Sequence, residues 1–253
     1  MTKLSVNINK IALLRNSRGR NFPDVRAFAA RCLQLGAHGI TLHPREGQRH
    51  ARYTDVHELQ ALCQDQGAEL NVEGYPSPEF LAVVGSARPA QCTLVPDGPG
   101  QLTSDHGWDL SGDVHVLSRA IAQLKALGIR TSLFVDYDNA HLNVAKALGT
   151  DRIELYTEPY AAHFNTPAGA QIFEGFRDAV ARATALGLGV NAGHDLNLGN
   201  LRHFLMLPGI QEVSIGHALV VECIEYGLEE VMARYGTIIE DAARTAETGF
   251  RPN

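Results

Sequence analysis

Short runs rich in Val, Ile, Leu and Thr recur along the chain, with longer stretches of helical period between them. The β-rich runs predict strands at Leu4–Asn9, Gly39–His43, Glu69–Glu73, Gln91–Pro96, Arg130–Asp136, Arg152–Thr157, Leu188–Gly193 and Glu212–His217. In the intervening stretches Val25, Phe28, Ala29, Cys32 and Leu33 share one helical face. So do Leu117, Ala120, Ile121 and Leu124, and later Phe173, Phe176, Val180 and Ala183. A single apolar stripe suits a helix packed on one side only.

Glycines punctuate the pattern. Leu35-Gly36, Gln66-Gly67, Leu127-Gly128, Leu148-Gly149 and Leu186-Gly187 each precede a β-rich run. Glycine takes the left-handed position that ends a helix without steric cost, and the chain then enters a strand. Eight such β-α units predict an α/β fold, a closed parallel (β/α)8 TIM barrel with short extra helical segments. A doubly wound open sheet is the alternative. No linker or composition shift marks a second domain, so residues 1–253 read as one barrel domain. The connection Asp97–Gly112, with its Gly, Pro and Asp, reads as an ordered active-site loop or lid. Gly236–Asn253 extends the last helix or adds a short one.

Composition narrows the function classes. Hydrophobic residues make up 45% and charged residues 20% of the 253, as in a globular protein with a substantial core. The net charge of -6 argues against a general nucleic-acid binder, although it leaves room for a local basic pocket. Cys32, Cys63, Cys92 and Cys223 are scattered, without a C-x-x-C pair, and read as reduced, buried thiols. The start MTKLSVNINK goes straight into a strand pattern, and no run approaches the roughly 20 apolar residues of a membrane span. A cytosolic protein with no membrane partner is expected.

Barrel enzymes place their chemistry on the carboxyl ends of the strands. Those ends carry Asn7 and Asn9, His43, Glu73, Asn191 and His194, then Gly216 and His217, with Thr103 on the fourth loop and Glu154 on the sixth strand. Imidazoles and carboxylates converging from several strands are the raw material of acid–base catalysis. Arginines cluster nearby, Arg15 and Arg18 in LLRNSRGR and Arg45, Arg49 and Arg52 in HPREGQRHAR. Planar guanidinium groups suit phosphate, while Arg20, Arg49 and Arg52 also read as solvated loop charge. The last unit, SIGHALVVECI, opens from a Gly-His turn into a helix, whose first N–H groups can cradle an anion opposite the NAGHDLN loop. A phosphorylated small substrate follows from this arrangement.

NIN-x-IA-x-LRN-x-RG, GIT-x-HPRE-x-RH, N-x-E, C-x-LVP, VNAGH and IGHA stand in this order over nearly the whole chain. In that ordered set the chain resembles the pyridoxine 5′-phosphate synthases. The resemblance implies a (β/α)8 barrel that condenses 3-amino-2-oxopropyl phosphate with 1-deoxy-D-xylulose 5-phosphate to pyridoxine 5′-phosphate, phosphate and water. It implies no metal or organic cofactor and a homo-octamer in the cytoplasm. By position, His43 and Glu73 would be proton acceptors and His194 the proton donor. Asn7, Arg18, Gly216 and His217 would contact the amino-ketone phosphate, and Arg45, His50 and Thr103 the deoxyxylulose phosphate. Asn9, Lys10 and Asp195 also fall at substrate-binding positions, but there the chain departs from the family pattern. Asn9-Lys10 replaces an Asp-His pair, and Asp195 replaces a Gly. Asn9 keeps hydrogen-bonding capacity without a carboxylate's charge.

Three other readings stay open on the residues alone. A Schiff-base aldolase needs a strand-end lysine, and of the lysines Lys3, Lys10, Lys125 and Lys146 only Lys10 qualifies. A metal-dependent hydrolase would use His43, Glu73, His194 and His217 as ligands. A non-catalytic phosphometabolite-binding barrel would account for the substituted Asn9, Lys10 and Asp195.

Overall fold

A computed structural model of the chain describes residues 1–98, 101 and 103–248. Its strands are β1 (Lys3–Asn7), β2 (Gly39–Leu42), β3 (Glu69–Gly74), β4 (Gln91–Leu94), β5 (Arg130–Val135), β6 (Arg152–Tyr156), β7 (Gly189–Gly193) and β8 (Ile210–Ile215). All pair in parallel in sequence order, and β8 pairs back onto β1, with Leu4 opposite Val213. This closure establishes the TIM barrel and removes the open doubly wound sheet.

The helices are α1 (Asn9–Asn16), α2 (Val25–Gln34), α3 (Tyr53–Gln66), α4 (Pro78–Ala87), α5 (His115–Ala126) and α6 (Leu142–Leu148). They continue with α7 (Glu158–His163), α8 (Gly169–Ala185), α9 (Leu201–Phe204), α10 (His217–Tyr226) and α11 (Leu228–Thr248). Local signals match these elements. Asp24 caps α2 by accepting the Ala27 N–H at 2.9 Å, and Ser77 caps α4 ahead of Pro78. Gly36, Gly67, Gly128, Gly149 and Gly187 all take positive φ where the preceding helix ends.

The barrel segregates its side chains by strand alternation. Leu4 and Val6, Ile40 and Leu42, Leu70 and Val72 join the apolar core shared with the helices, where Phe176, Val180 and Leu124 are buried. The alternate positions face a lumen that is polar, unlike the branched apolar layers that commonly fill such barrels. The Ser5 and Thr41 hydroxyls lie 2.6 Å apart, Thr93 donates to Asn71 Oδ1 at 3.0 Å, and Gln91 donates to Glu212 across the barrel at 3.3 Å. At the amino-terminal end Glu69 takes both Lys3 and Arg130.

The strand bounds differ from expectation by one or two residues, and at two strands the difference moves site residues. β1 stops at Asn7, whose Oδ1 accepts the Asn9 N–H at 3.0 Å and so turns the chain into α1. Asn9 and Lys10 therefore open a helix instead of ending a strand. β8 begins earlier than predicted and ends at Ile215, which puts His217 at the first position of α10. The 97–112 connection is anchored where it is described. The Trp108 indole N–H donates to the Leu94 carbonyl at 2.9 Å, and Gly107 sits where a Cβ would lie 2.4 Å from the β5 backbone. Pro99, Gly100 and Leu102 of that connection, and residues 249–253 of the last segment, lie outside the described residues. α11 carries the chain through Gly236 to Thr248 as a continuous helix.

Candidate active site

Because all strands run parallel, their carboxyl ends share one rim. His43 follows β2 directly, Glu73 lies next to last in β3, and His194 follows β7. Asn7 ends β1, and Gly216 is the residue between β8 and α10. His43 is 5% exposed and Glu73 7%, which is unusual for polar groups outside a functional pocket.

The environment of each group sets its charge. Burial, then the neighbouring Arg45, His50 and His194, hold the His43 imidazole well below its ordinary pKa, so it is neutral near pH 7. Burial and the carboxylate of Asp97 push Glu73 up to about 8, opposed by Arg45. Asn7 Nδ2 faces Glu73 Oε2 at 3.5 Å. His194 is lowered mainly by burial, against the opposing charges of Asp195 and Asp97. Its ring lies 5.4 Å from that of Phe134 and 5.2 Å from that of Tyr156.

The backbone at the seventh loop is forced. His194 has φ 86° and Asp195 φ 58°, left-handed conformations that residues with a Cβ rarely adopt. Asp tolerates this region better than most, so Asp195 reproduces the shape that a glycine would allow there. The buried Thr157 hydroxyl sits against the carbonyls of Gly193 and His194 and holds the turn.

The loop after β2 brings the cations. Arg45 pairs with Asp97, and His50 stands with its ring 6.4 Å from that of His43. Burial together with Arg45, Arg49 and Lys10 depresses His50 to about 4. This loop is tied from below. Asn16 Nδ2 donates to the carbonyls of Arg49 and His50 at 3.0 and 2.8 Å, and Arg15 grips buried Asp55 with two hydrogen bonds of 2.6 and 2.9 Å. A cavity of about 370 Å³ opens here, lined by His43, Arg45, Arg49, Tyr75, Phe80 and Asp97 among others.

The remaining expected residues are less gathered. Asn9 is half-buried, and its Oδ1 accepts the His43 N–H at 2.9 Å. Lys10, Thr103, Asp195 and His217 are exposed. Arg18 is exposed in the bend after α1, with no side-chain hydrogen bond among the described residues. Lys10 in the first turn of a helix lacks the strand-end seat expected of a Schiff-base lysine. Among the described residues no three His, Cys, Asp or Glu side chains group as metal ligands.

Two further carboxylates lie near these residues: Asp97, which the strand-end pattern did not single out, and Glu154, which stood in that pattern on the sixth strand without a role. Asp97 stands three residues beyond the end of β4, after Leu94, Val95 and Pro96, close to the strand-end position that marked the others. Glu154 is 2% exposed beneath the rim, where burial and then Glu73 raise it well above the carboxylate range. A carboxylate inside the strand run RIELY was its only signal.

The chain matches the family model described as "Pyridoxal phosphate biosynthesis protein PdxJ" over residues 4–241. A pyridoxine 5'-phosphate synthase from Porphyromonas gingivalis is 50% identical over 236 residues, 93% of this chain and 98% of that protein. One from Xanthomonas campestris pv. campestris is 51% identical over 253 residues, covering 97% and 99%. Among solved structures, thiamine phosphate pyrophosphorylase from Pyrococcus furiosus superposes with a TM-score of 0.62 at 16% identity over 95% of this chain and 96% of that one, a likeness of fold alone.

Proposed function

The chain belongs to the pyridoxal phosphate biosynthesis protein PdxJ family, and from that premise we propose that it is a pyridoxine 5′-phosphate synthase. It joins 3-amino-2-oxopropyl phosphate to 1-deoxy-D-xylulose 5-phosphate and releases pyridoxine 5′-phosphate, phosphate and water. The observation that carries this reading is the convergence of His43, Glu73, His194 and Arg45 on one rim, beside the helix start at Gly216.

The reaction needs an imine, the loss of water and phosphate, and a ring-closing carbon–carbon bond, so protons move at carbon, nitrogen and oxygen. His43, neutral because it is desolvated among cations, takes protons without first losing one. Glu73, poised near 8, exchanges a proton within reach of neutral pH and serves as the second acceptor once ionised. His194, with one ring N–H in its neutral form, donates to a leaving oxygen. Asn9 fixes the backbone from which His43 projects.

Two phosphate grips hold the substrates together, and proximity supplies much of the acceleration. Arg45, His50 and Thr103 take the sugar phosphate, with Lys10 adding a cation. The first N–H groups of α10, at Gly216 and His217, take the amino-ketone phosphate with Asn7 and Arg18. Gly216 suits this role because a Cβ there would meet Asn7 Cβ at 2.9 Å. Asp195 keeps the seventh loop in the left-handed shape that shows its backbone to the substrate.

The chain acts as one barrel domain in a cytoplasmic homo-octamer. Exposed Leu13, Leu14, Phe22, Val221 and Ile224, on or near α1 and α10, support self-association. Purified protein given both phosphorylated substrates is expected to form a pyridine chromophore and inorganic phosphate in equal amounts. Absence of both from folded protein would remove the proposed function.

A further inference from the structure

Asp97 carries a buried carboxylate that none of the roles above uses. Its side chain is 2% exposed, and one oxygen serves three partners. Oδ2 pairs with the Arg45 guanidinium, accepts the Ser104 hydroxyl at 2.7 Å, and lies 3.9 Å from His43 Nδ1. The other oxygen, Oδ1, is buried with no hydrogen-bond partner among the described residues, and so is Arg45 Nε. Both residues line the cavity at the rim.

Buried polar atoms are almost always paired, so unpaired ones on two residues that line a cavity mark where a ligand completes the set. A carboxylate oxygen only accepts, and its natural complement is a hydroxyl; a guanidinium only donates, and its complement is a phosphate oxygen. The two open atoms sit on one ion pair. The ligand that satisfies both therefore carries a hydroxyl and a phosphate close together. Of the two proposed substrates only the deoxyxylulose phosphate has hydroxyl groups on its carbon chain.

We propose that Asp97 selects the hydroxylated substrate, its Oδ2 orienting Arg45 toward the sugar phosphate while its Oδ1 accepts a hydrogen bond from a chain hydroxyl. This rests on the function proposed above. The carboxylate also blocks an error, since a second phosphate placed against it would face like charge.

The test pairs D97N with analogues of 1-deoxy-D-xylulose 5-phosphate lacking one or other chain hydroxyl. The amide keeps an oxygen for Arg45 but turns a donor toward the hydroxyl. D97N is expected to raise the KM for the sugar phosphate about tenfold or more, leaving that for the amino-ketone phosphate within about twofold. One of the deoxy analogues should bind wild-type protein about tenfold more weakly than the parent, measured by calorimetry, and this discrimination should vanish in D97N. Unchanged KM values, equal rises for both substrates, or discrimination retained in D97N would overturn the proposal. Should D97N not fold, calorimetry on the wild-type protein decides alone. Both analogues binding as tightly as the parent would overturn the proposal, and selective loss for one would support it. Wild-type turnover in the same experiment reads the function separately, so failure of one reading is distinct from failure of the other.

Discussion

The side-chain oxygen of Asn9 accepts the backbone N–H of His43 at 2.9 Å, tying the first turn of α1 to the end of β2. The neutral amide thus supplies the acceptor on which the placement of His43 depends, and a carboxylate's charge is not needed for that bond. Asn9→Asp should keep turnover within about threefold of wild type, whereas Asn9→Leu leaves the N–H unpaired and should lower kcat about tenfold or more. Steady-state kinetics on the two variants distinguishes them.

A pH profile follows from the role proposed for Glu73. With its carboxyl raised to about 8, the ionised base accumulates only as pH climbs, so kcat/KM should rise through the range around pH 8. His43, depressed well below 6.5, stays neutral there and adds no limb of its own. Replacing Glu73 by Gln should remove the rise.

The same shift has a thermodynamic consequence. A carboxyl whose folded pKa stands above the unfolded 4.5 stabilises the fold fully below that value, and the contribution is lost as pH rises through about 8. Wild-type protein should therefore lose Tm relative to E73Q between acidic and alkaline pH, by about 3 °C or more. Thermal unfolding at about pH 5 and about pH 9 checks the sign.

Two glycines of the rim are required by space. At Gly193 a Cβ would stand 2.6 Å from Glu154 Oε1 and 3.3 Å from the Ser214 carbonyl, so Ala there should cost about 1–3 kcal/mol and displace the carboxylate. At Gly216 a Cβ would press on Asn7, and Ala should raise the KM for the amino-ketone phosphate about tenfold while sparing the sugar phosphate. Urea unfolding and paired KM measurements test these separately.

The support beneath the loop after β2 is equally specific. Arg15 and Asp55 are 2% and 4% exposed and share two hydrogen bonds. Arg15→Met strands a buried carboxylate and should cost about 3–5 kcal/mol in urea unfolding. Replacing both partners with apolar residues of similar size should cost less.

Strand positions were legible because five glycines end their helices in the left-handed conformation that each Leu-Gly or Gln-Gly pair announced. The end of β1 was not, since Ile8 continues the β pattern while the Asn7 side chain, invisible to periodicity, turns the chain into α1. The apolar richness of the runs also hid how polar the lumen is, with Glu69, Arg130, Arg152 and Glu212 alternating against Leu70, Thr131, Ile153 and Val213. Of the proposed site, His43, Glu73 and His194 could be read from their strand ends. The Arg45–Asp97 pair could not, because its partners are 52 positions apart and meet only once the barrel brings the second and fourth loops together. Exposed Arg18 and Thr103 rest on resemblance, without a side-chain hydrogen bond among the described residues.

The most direct test of the proposal that this rim binds two phosphorylated substrates and moves protons between them is a parallel assay of wild-type protein and E73Q. Both should bind each substrate, and wild type should form pyridoxine 5′-phosphate and phosphate in step, with E73Q slower by about two orders of magnitude or more. An E73Q rate close to wild type, or folded wild-type protein that forms neither product, would contradict the account.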